Sequence, residues 1–203
     1  MKITAIKQQL KRADRYSVFV DGAYAFSLSE AGLLESRLAS GQELDETQLA
    51  ALKKSAGLDK TYGNALRFVA MRPRSEWEVA SYLARKQVDE PAVVQIIARL
   101  KAARLLDDAA FARMWVENRR LLRQTSARRL KLELAQKHVP EEIVAQVLQA
   151  EPSDEQALLA QVITKKRRQT RYQNDPLKLM QYLARQGFGY DDIKRALAEP
   201  TDE

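Results

Sequence analysis

The chain has no cysteine and a single histidine, His138, and its 203 residues include only seven glycines and two tryptophans. Without cysteine it can form neither a disulfide framework nor a thiolate metal site. A histidine-based catalytic triad would depend on His138 alone, and we assign that residue a structural role instead. The Gly-x-x-x-x-Gly-Lys-Ser/Thr motif of P-loop nucleotide sites is also missing. We therefore expect no catalytic residue, no metal ion and no cofactor.

Long hydrophobic runs are missing as well. No stretch approaches the length of a membrane span, and residues 1–13 lack the apolar centre of a signal peptide. Hydrophobic residues make up 45% of the chain and charged residues 30%, which is enough for a buried core under a well-hydrated surface. We expect a cytoplasmic protein.

What the sequence does contain is a threefold internal repeat with a period of about 50 residues. The copies begin at Ser75, Ser126 and Asp175. At one common offset they carry a Leu-Ala pair, led by Leu83, Leu134 and Leu183. Four residues after each leucine comes the position at which the helix should end in a left-handed residue, namely Gln87, His138 and Gly187. Such self-similarity is typical of stacked supersecondary units.

The spacing of apolar residues predicts three helices in each unit, so the fold class is mainly α. We expect helix-turn-helix-like repeats in an elongated array at residues 59–106, 107–150 and 151–203. Ser75 and Glu78 form a capping box, and Asp175 before Pro176 is a second helix start. The side chains expected in the core include Trp77, Trp115, Val93, Val94, Ile96, Ile97 and Leu100.

The first 58 residues predict a small α+β domain. Two β-rich runs, residues 16–20 and 23–28, flank Asp21-Gly22, the dipeptide preferred in type I′ hairpin turns. Residues 3–6 fit a further short strand. Ser29 can cap a helix through residue 38, and Asp45 one through about residue 55. Gly57 is expected to close that second helix.

The net charge of +7 is concentrated in two basic runs, residues 113–137 and 165–171. Between Arg113 and Lys137 there are eight basic residues and only two acidic ones. Arg128, Arg129 and Lys131 lie in the first turns of a predicted helix, where cations oppose the helix dipole unless they serve an anion. We expect either a polyanion or acidic partner, or a merely solvated face. The candidate binding residues are Arg113, Arg119, Arg120, Arg123, Arg128, Arg129, Lys131, Lys165, Lys166, Arg167 and Arg168.

Asp107 and Asp108 form a carboxylate pair that a metal-dependent nuclease could use. They also directly precede an apolar helix, where aspartate is a common N-cap. We favour the capping role because of this position. Cleavage of nucleic acid that is abolished by Asp107→Ala would support the enzyme instead.

Three segments together resemble the RecX family of recombination regulators: residues 65–86 (ALRFVAMRPRSEWEVASYLARK), 105–119 (LLDDAAFARMWVENR) and 126–144 (SARRLKLELAQKHVPEEIV). The resemblance covers roughly residues 60–200, and the hairpin domain is similar to that of longer family members. The family usually has Lys-Gly where this chain has Lys86-Gln87 and Lys137-His138. That departure concerns the helix caps.

The resemblance implies a non-enzymatic regulator of the RecA recombinase. Such a protein lies in the groove of the RecA–single-stranded-DNA filament and inhibits its ATP hydrolysis and strand exchange, which links it to homologous recombination, DNA repair and the SOS response. Its partners would be the RecA filament and single-stranded DNA, with double-stranded DNA as a further partner, and we expect a monomer. The alternative from the residues alone is a free-standing helix-turn-helix-like DNA- or RNA-binding protein.

Overall fold

The computed structural model describes residues 1–150, 152 and 154–198, and the chain forms two compact units. The first comprises Met1–Pro73 and Val79–Leu106, and the second comprises Arg74–Glu78 and the chain from Asp107 onward. In chain order the elements are β1 (Ile3–Gln9), β2 (Arg12–Val20), β3 (Ala23–Ser29), α1 (Glu30–Ser36), α2 (Glu46–Met71), α3 (Glu76–Arg85), α4 (Glu90–Ala102), α5 (Asp108–Arg123), α6 (Ala127–Ala135), α7 (Glu141–Ala150), α8 (Glu155–Arg167), α9 (Thr170–Gln173), α10 (Pro176–Arg185) and α11 (Tyr190–Ala198).

The predicted hairpin is confirmed as part of an antiparallel sheet in the order β1-β2-β3. Asp21 and Gly22 connect β2 to β3 with φ angles of 49° and 82°, the positive values that a type I′ turn requires. Val18 pairs with Phe26 across the two strands, and both side chains are buried. One face of the sheet packs into a core with Ile3, Val20, Leu28, Leu44 and Ala56.

The prediction that Gly57 ends a helix is wrong, because α2 runs without a break through Gly57 to Met71. Asp59, two residues further on, anchors this part of the helix to the sheet. Its carboxylate accepts the amide N–H of Ser29 at 2.8 Å and pairs with the Arg15 guanidinium at 3.2 Å in a buried ion pair. The proposed boundary at residues 58 and 59 falls inside α2, and the domain bounds stay a prediction.

Replacing Gly57 by alanine should raise the free energy of unfolding by about 0.5–1 kcal/mol, the usual gain for glycine to alanine inside a helix. A Cβ at this position would meet no atom within 4 Å, so no clash offsets the gain. Urea denaturation of both proteins measures the difference. A loss of stability would mean that the helix does end at Gly57 in solution.

The prediction of three three-helix units is confirmed. The second half of α2 with α3 and α4, then α5–α7, then α8, α10 and α11 each enclose a hydrophobic core. The repeated leucines Leu83, Leu134 and Leu183 lie in these cores, each with at most 1% of its surface exposed. The short α9 precedes α10 in the third unit.

The turn between the last two helices has the same geometry in each unit. We call these turns 1, 2 and 3 (residues 86–88, 137–139 and 186–188). Their central residues Gln87, His138 and Gly187 have φ angles of 59°, 53° and 91°, which confirms the predicted left-handed positions. In turn 2 the amide of Val139 donates to the Leu134 carbonyl at 3.2 Å, and the corresponding bonds close turns 1 and 3. These are Schellman motifs.

Within the second unit, two buried serines make the same pair of contacts. The Ser75 hydroxyl accepts the Glu78 amide N–H at 3.2 Å as a helix cap and donates to the Lys137 carbonyl of turn 2 at 2.8 Å. The Ser126 hydroxyl likewise accepts the amide N–H of Arg129 at 3.2 Å and donates to the Gln186 carbonyl of turn 3 at 2.8 Å. A helix N-terminus therefore meets a helix C-terminal turn, which pairs unsatisfied carbonyls with donors.

Two residues predicted in the core lie at the surface. Trp77 is 44% exposed because it occupies the first turn of α3, where its ring stacks on His138 with centroids 4.1 Å apart. Val94 is 62% exposed, since the inner face of α4 is formed by Ala92, Ile96 and Leu100 at i, i+4 and i+8. Trp115 is half-buried and packs against the core of the second unit, in agreement with its prediction.

Candidate partner-binding surface

The carboxylate pair Asp107–Asp108 acts at helix ends. Asp107 caps α5 by accepting the amide N–H groups of Ala109 and Ala110 at 2.8 and 3.0 Å, which confirms the predicted N-cap. Asp108 is buried and accepts the Glu76 amide N–H at 2.8 Å.

Across the described residues, no cluster of three or more histidine, aspartate or glutamate side chains is arranged to hold a metal ion. No helix in that same part of the chain is both long and apolar enough to cross a membrane.

Two of the predicted binding residues, Arg119 and Arg129, converge on one carboxylate. Glu133 on α6 accepts hydrogen bonds from Arg119 Nε at 2.6 Å and from Arg129 Nε at 3.3 Å. The indole Nε1 of Trp115 donates to the same carboxylate at 3.0 Å. This network ties α5 to α6, so part of the basic charge stabilises the second repeat itself.

Burial of the Glu133 carboxyl raises its pKa, but the hydrogen bonds from Arg119 and Trp115 outweigh burial and hold the pKa below its ordinary value. A carboxyl with a lowered folded-state pKa stabilises the fold above the unfolded-state pKa. That stabilisation is lost as the pH falls through the folded-state pKa.

The Glu133→Gln variant should accordingly be less stable at pH 7, by about 1 kcal/mol, because it loses charged hydrogen bonds. The deficit relative to the unchanged protein should shrink as the pH is lowered below about 4.5. Urea denaturation of both proteins between pH 7 and pH 3 measures it. A deficit that stays constant over this range would show that the Glu133 charge does not contribute.

The other predicted residues differ in exposure. Lys166 lies over the Tyr182 ring, with Nζ 4.6 Å from its centroid, and Arg167 donates to the Leu197 carbonyl at 3.5 Å. Arg120 is half-buried. Six side chains are exposed to solvent: Arg113, Arg123, Arg128, Lys131, Lys165 and Arg168. These six remain candidates for contact with a partner.

One groove brings basic and aromatic side chains together in the second unit. It has a volume of about 630 Å³ and lies between α6 and the helices α10 and α11. We call it the arginine–tyrosine groove. Its lining residues are Arg128, Arg129, Leu132, Tyr182, Ala184, Arg185, Gln186, Gly187, Phe188 and Tyr190. Of the predicted residues Arg128 and Arg129 line it directly, and Lys166 reaches it through Tyr182.

Arg185, Tyr182 and Tyr190 were not predicted from the sequence as binding residues. Arg185 directly follows the Leu183-Ala184 pair of the third repeat, so its position in the repeat is known. The repeat pattern does not indicate that this position faces a groove. Tyr190 opens α11 with 63% of its surface exposed. Turn 3 brings both residues beside Arg128.

The groove can bind an anionic group beside a flat or apolar one. Arginines recognise phosphates and carboxylates with bidentate hydrogen bonds, and exposed tyrosine rings offer stacking surfaces. Leu132 and Tyr190, both more than half exposed, add apolar area. This combination suits single-stranded nucleic acid or an acidic protein segment.

Four family models together match most of this chain. They are the regulatory protein RecX N-terminal domain at residues 1–45 and the first, second and third three-helix domains of RecX at residues 62–100, 107–148 and 153–197. The chain belongs to the RecX family. The N-terminal model covers the β-sheet and α1, and each of the other three models covers one copy of the internal repeat.

The chain is also similar to individual RecX proteins in sequence and in structure. The chain is 34% identical to regulatory protein RecX of Oceanobacillus iheyensis over 92% of its own length and 72% of the relative's. It is 32% identical to that of Bacillus pumilus, over 98% and 78%. A crystal structure of regulatory protein RecX superimposes with a TM-score of 0.77 at 29% identity, covering 98% of this chain and 99% of the other. RecX from Lactobacillus salivarius, at 23% identity and a TM-score of 0.59, shares the fold.

Proposed function

We propose that this chain is a non-enzymatic regulator of the RecA recombinase, binding the RecA–single-stranded-DNA filament and lowering its ATP hydrolysis and strand exchange. The observation that carries the proposal is membership of the RecX family, shown by matches to its N-terminal domain and to its three-helix domains. Because the chain has no P-loop motif, an effect on ATP hydrolysis acts through RecA's own nucleotide site.

The charge distribution supports the same function. A filament of recombinase on DNA displays both phosphates and acidic side chains, and the arginine–tyrosine groove offers Arg128 and Arg185 for either group. Arg113, Arg123 and Lys131 on α5 and α6 are further exposed cations of the second unit. We propose the arginine–tyrosine groove, with these cations, as the filament-binding surface.

The decisive experiment follows RecA's single-strand-dependent ATP hydrolysis while the protein is titrated from well below stoichiometric amounts. Binding to bare single-stranded DNA is measured in the same buffer. Inhibition at concentrations that leave bare DNA mostly unbound identifies the filament as the target. No inhibition at any concentration refutes the proposed function.

The double variant Arg128→Ala/Arg185→Ala should raise the concentration for half-maximal inhibition by about tenfold, because two cations facing the partner are removed. The matched control is Lys194→Ala/Arg195→Ala, which removes two exposed cations of α11 that do not line the groove. ATP hydrolysis assays with both variants, after circular dichroism has shown unchanged helicity, test this. Equal inhibition by the two variants would exclude the groove as a binding surface.

The second candidate function is free-standing nucleic-acid binding, which the stacking surface of Tyr190 beside Arg128 favours. Binding of this kind weakens steeply with salt, with a log–log slope of about −0.7 for each phosphate contacted on a single strand. Filament binding through protein contacts should keep a component that resists salt. Tight, salt-sensitive DNA binding without inhibition of RecA would establish the second function.

A further inference from the structure

Turn 2 is covered by a helix N-terminus that uses two polar contacts. Besides the Ser75 hydroxyl bonded to the Lys137 carbonyl, the Lys137 ammonium pairs with the Glu78 carboxylate at 2.9 Å. Ser75 and Glu78 are the two ends of a capping box at the start of α3. Lys137 of turn 2 therefore contacts both capping residues of a Ser-x-x-Glu helix start. Its carbonyl accepts the serine hydroxyl, and its ammonium pairs with the glutamate carboxylate.

Turn 1 has a lysine at the same position and the same backbone conformation as turn 2. Lys86 occupies the position of Lys137, and Gln87 adopts the same left-handed conformation as His138. Within the described part of the chain, no side-chain hydroxyl donates to the Lys86 carbonyl, and the side chain of Lys86 is exposed. Turn 1 thus has the lysine carbonyl and ammonium that turn 2 uses, but no serine and glutamate of the described residues contact them.

The space in front of turn 1 is an open pocket of about 440 Å³ within the first unit. Its wall on α2 includes Lys54, Leu58 and Thr61, and its other wall begins with Lys86. Asp89 also lines the pocket and makes no side-chain hydrogen bond to the amides of the helix that it precedes. A helix N-terminus brings amide donors for Asp89 and an acidic first turn for Lys54 and Lys86.

We propose that turn 1 with this pocket is a docking site for a partner protein's helix that begins with a Ser-x-x-Glu capping box. Its serine hydroxyl donates to the Lys86 carbonyl, and its glutamate pairs with the Lys86 ammonium. The mode of binding is the one that the chain itself uses at turn 2. This site is separate from the arginine–tyrosine groove, and it does not depend on the proposed function.

A second copy of this chain is a poor occupant. Its own Ser75 and Ser126 are buried against turns 2 and 3. The equivalent residue of the third repeat is Asp175, whose carboxylate has no proton to donate to a carbonyl at neutral pH. The helix start at Asp175 therefore lacks the serine that turn 1 requires, and we propose that the Ser-x-x-Glu helix comes from another protein.

The test uses a peptide of residues 74–86 of this chain, acetylated and amidated, as the probe helix. It is titrated into the isotope-labelled full-length protein at low salt while amide signals are followed by NMR. We expect saturable shifts of residues 54–61 and 86–95, with a dissociation constant of about 0.1–1 mM. A control peptide with Ser75→Ala and Glu78→Lys should bind about tenfold more weakly.

Protein variants make the test specific. Lys86→Glu should abolish the shifts, and a peptide with Glu78→Lys should restore them, whereas Lys60→Glu, an exposed charge change on α2 outside the pocket, should have no effect. The proposal fails if the two peptides bind equally or if shifts are confined to turns 2 and 3. It also fails if an oligothymidine shifts the same residues with higher affinity, or if self-association occurs that Lys86→Glu removes.

Discussion

We expect Leu134→Ala to lower the free energy of unfolding by about 2–5 kcal/mol, the range measured for leucine truncation in closely packed cores. Leu134 has no exposed surface and packs in the core of the second repeat with Phe111, Val116 and Leu130. Its carbonyl also accepts the Val139 amide that closes turn 2. Collapse around the missing side chain would therefore have to move a turn held by Ser75.

Urea denaturation followed by circular dichroism measures this effect. The matched control is Leu132→Ala on the same helix, where the leucine is 51% exposed and a change below about 0.5 kcal/mol is expected. The corresponding leucines Leu83 and Leu183 should behave like Leu134, because all three are almost fully buried. Similar values for Leu134→Ala and Leu132→Ala would show that the assigned repeat register is not the one in solution.

Gly187→Ala should be the second strongly destabilising change, with an expected loss of about 2–4 kcal/mol. A Cβ on Gly187 would lie 2.5 Å from Ser126 Oγ and 2.9 Å from the backbone nitrogen of Arg129, too close for either atom. The residue also has a φ of 91°, which strains any residue with a side chain. To relieve the close contact, turn 3 would have to move away from Ser126, which would weaken the hydrogen bond from the Ser126 hydroxyl to the Gln186 carbonyl.

Gly41→Ala separates the two contributions. Gly41 has a similar φ of 89°, but a Cβ there would meet no atom within 4 Å. It should show only the conformational cost of about 1–2 kcal/mol. Thermal and urea denaturation of both variants give the comparison. If Gly187→Ala costs no more than Gly41→Ala, the close approach of turn 3 to the start of α6 is not maintained in solution.

Local sequence signals predicted the elements whose causes are themselves local. The Asp21-Gly22 turn, the caps at Ser29, Ser75, Asp107 and Asp175, and the left-handed positions in all three turns were all found at their expected places. Each depends on a residue's own backbone preference or on a hydrogen bond spanning a few residues. The repeated leucines were found because a common offset survives in all three copies.

The errors arose where a distant contact overrode a local preference. Gly57 weakens a helix, yet α2 continues because Asp59 is held by Arg15 and by the amide of Ser29 on the sheet. Trp77 has the hydrophobicity of a core residue, but its position in the first turn of α3 places it on the ring of His138. Neither partner lies near enough in the chain for periodicity to indicate the contact.

For the candidate binding surface, too, the sequence indicated the basic residues but not their spatial neighbours. The basic runs could be located from composition, but the assignment of Arg119 and Arg129 to Glu133 depends on the packing of α5 against α6. Arg185 and Tyr190 enter the groove only because turn 3 docks on Ser126, about 60 residues earlier in the chain. Electrostatic partners depend on distance in space, and charge counts along the sequence do not contain it.

The helical repeats, their turns, the hairpin and the positive charge could be predicted from the sequence, because periodicity, capping and turn chemistry act over a few residues. Which of those charges are exposed, and which turns are covered by a helix, depends on contacts between residues far apart in the chain. Lys86 and Lys137 stand at the same position of the repeat, yet only Lys137 meets a serine and a glutamate. The difference lies in what packs in front of each turn, which the repeat itself does not encode.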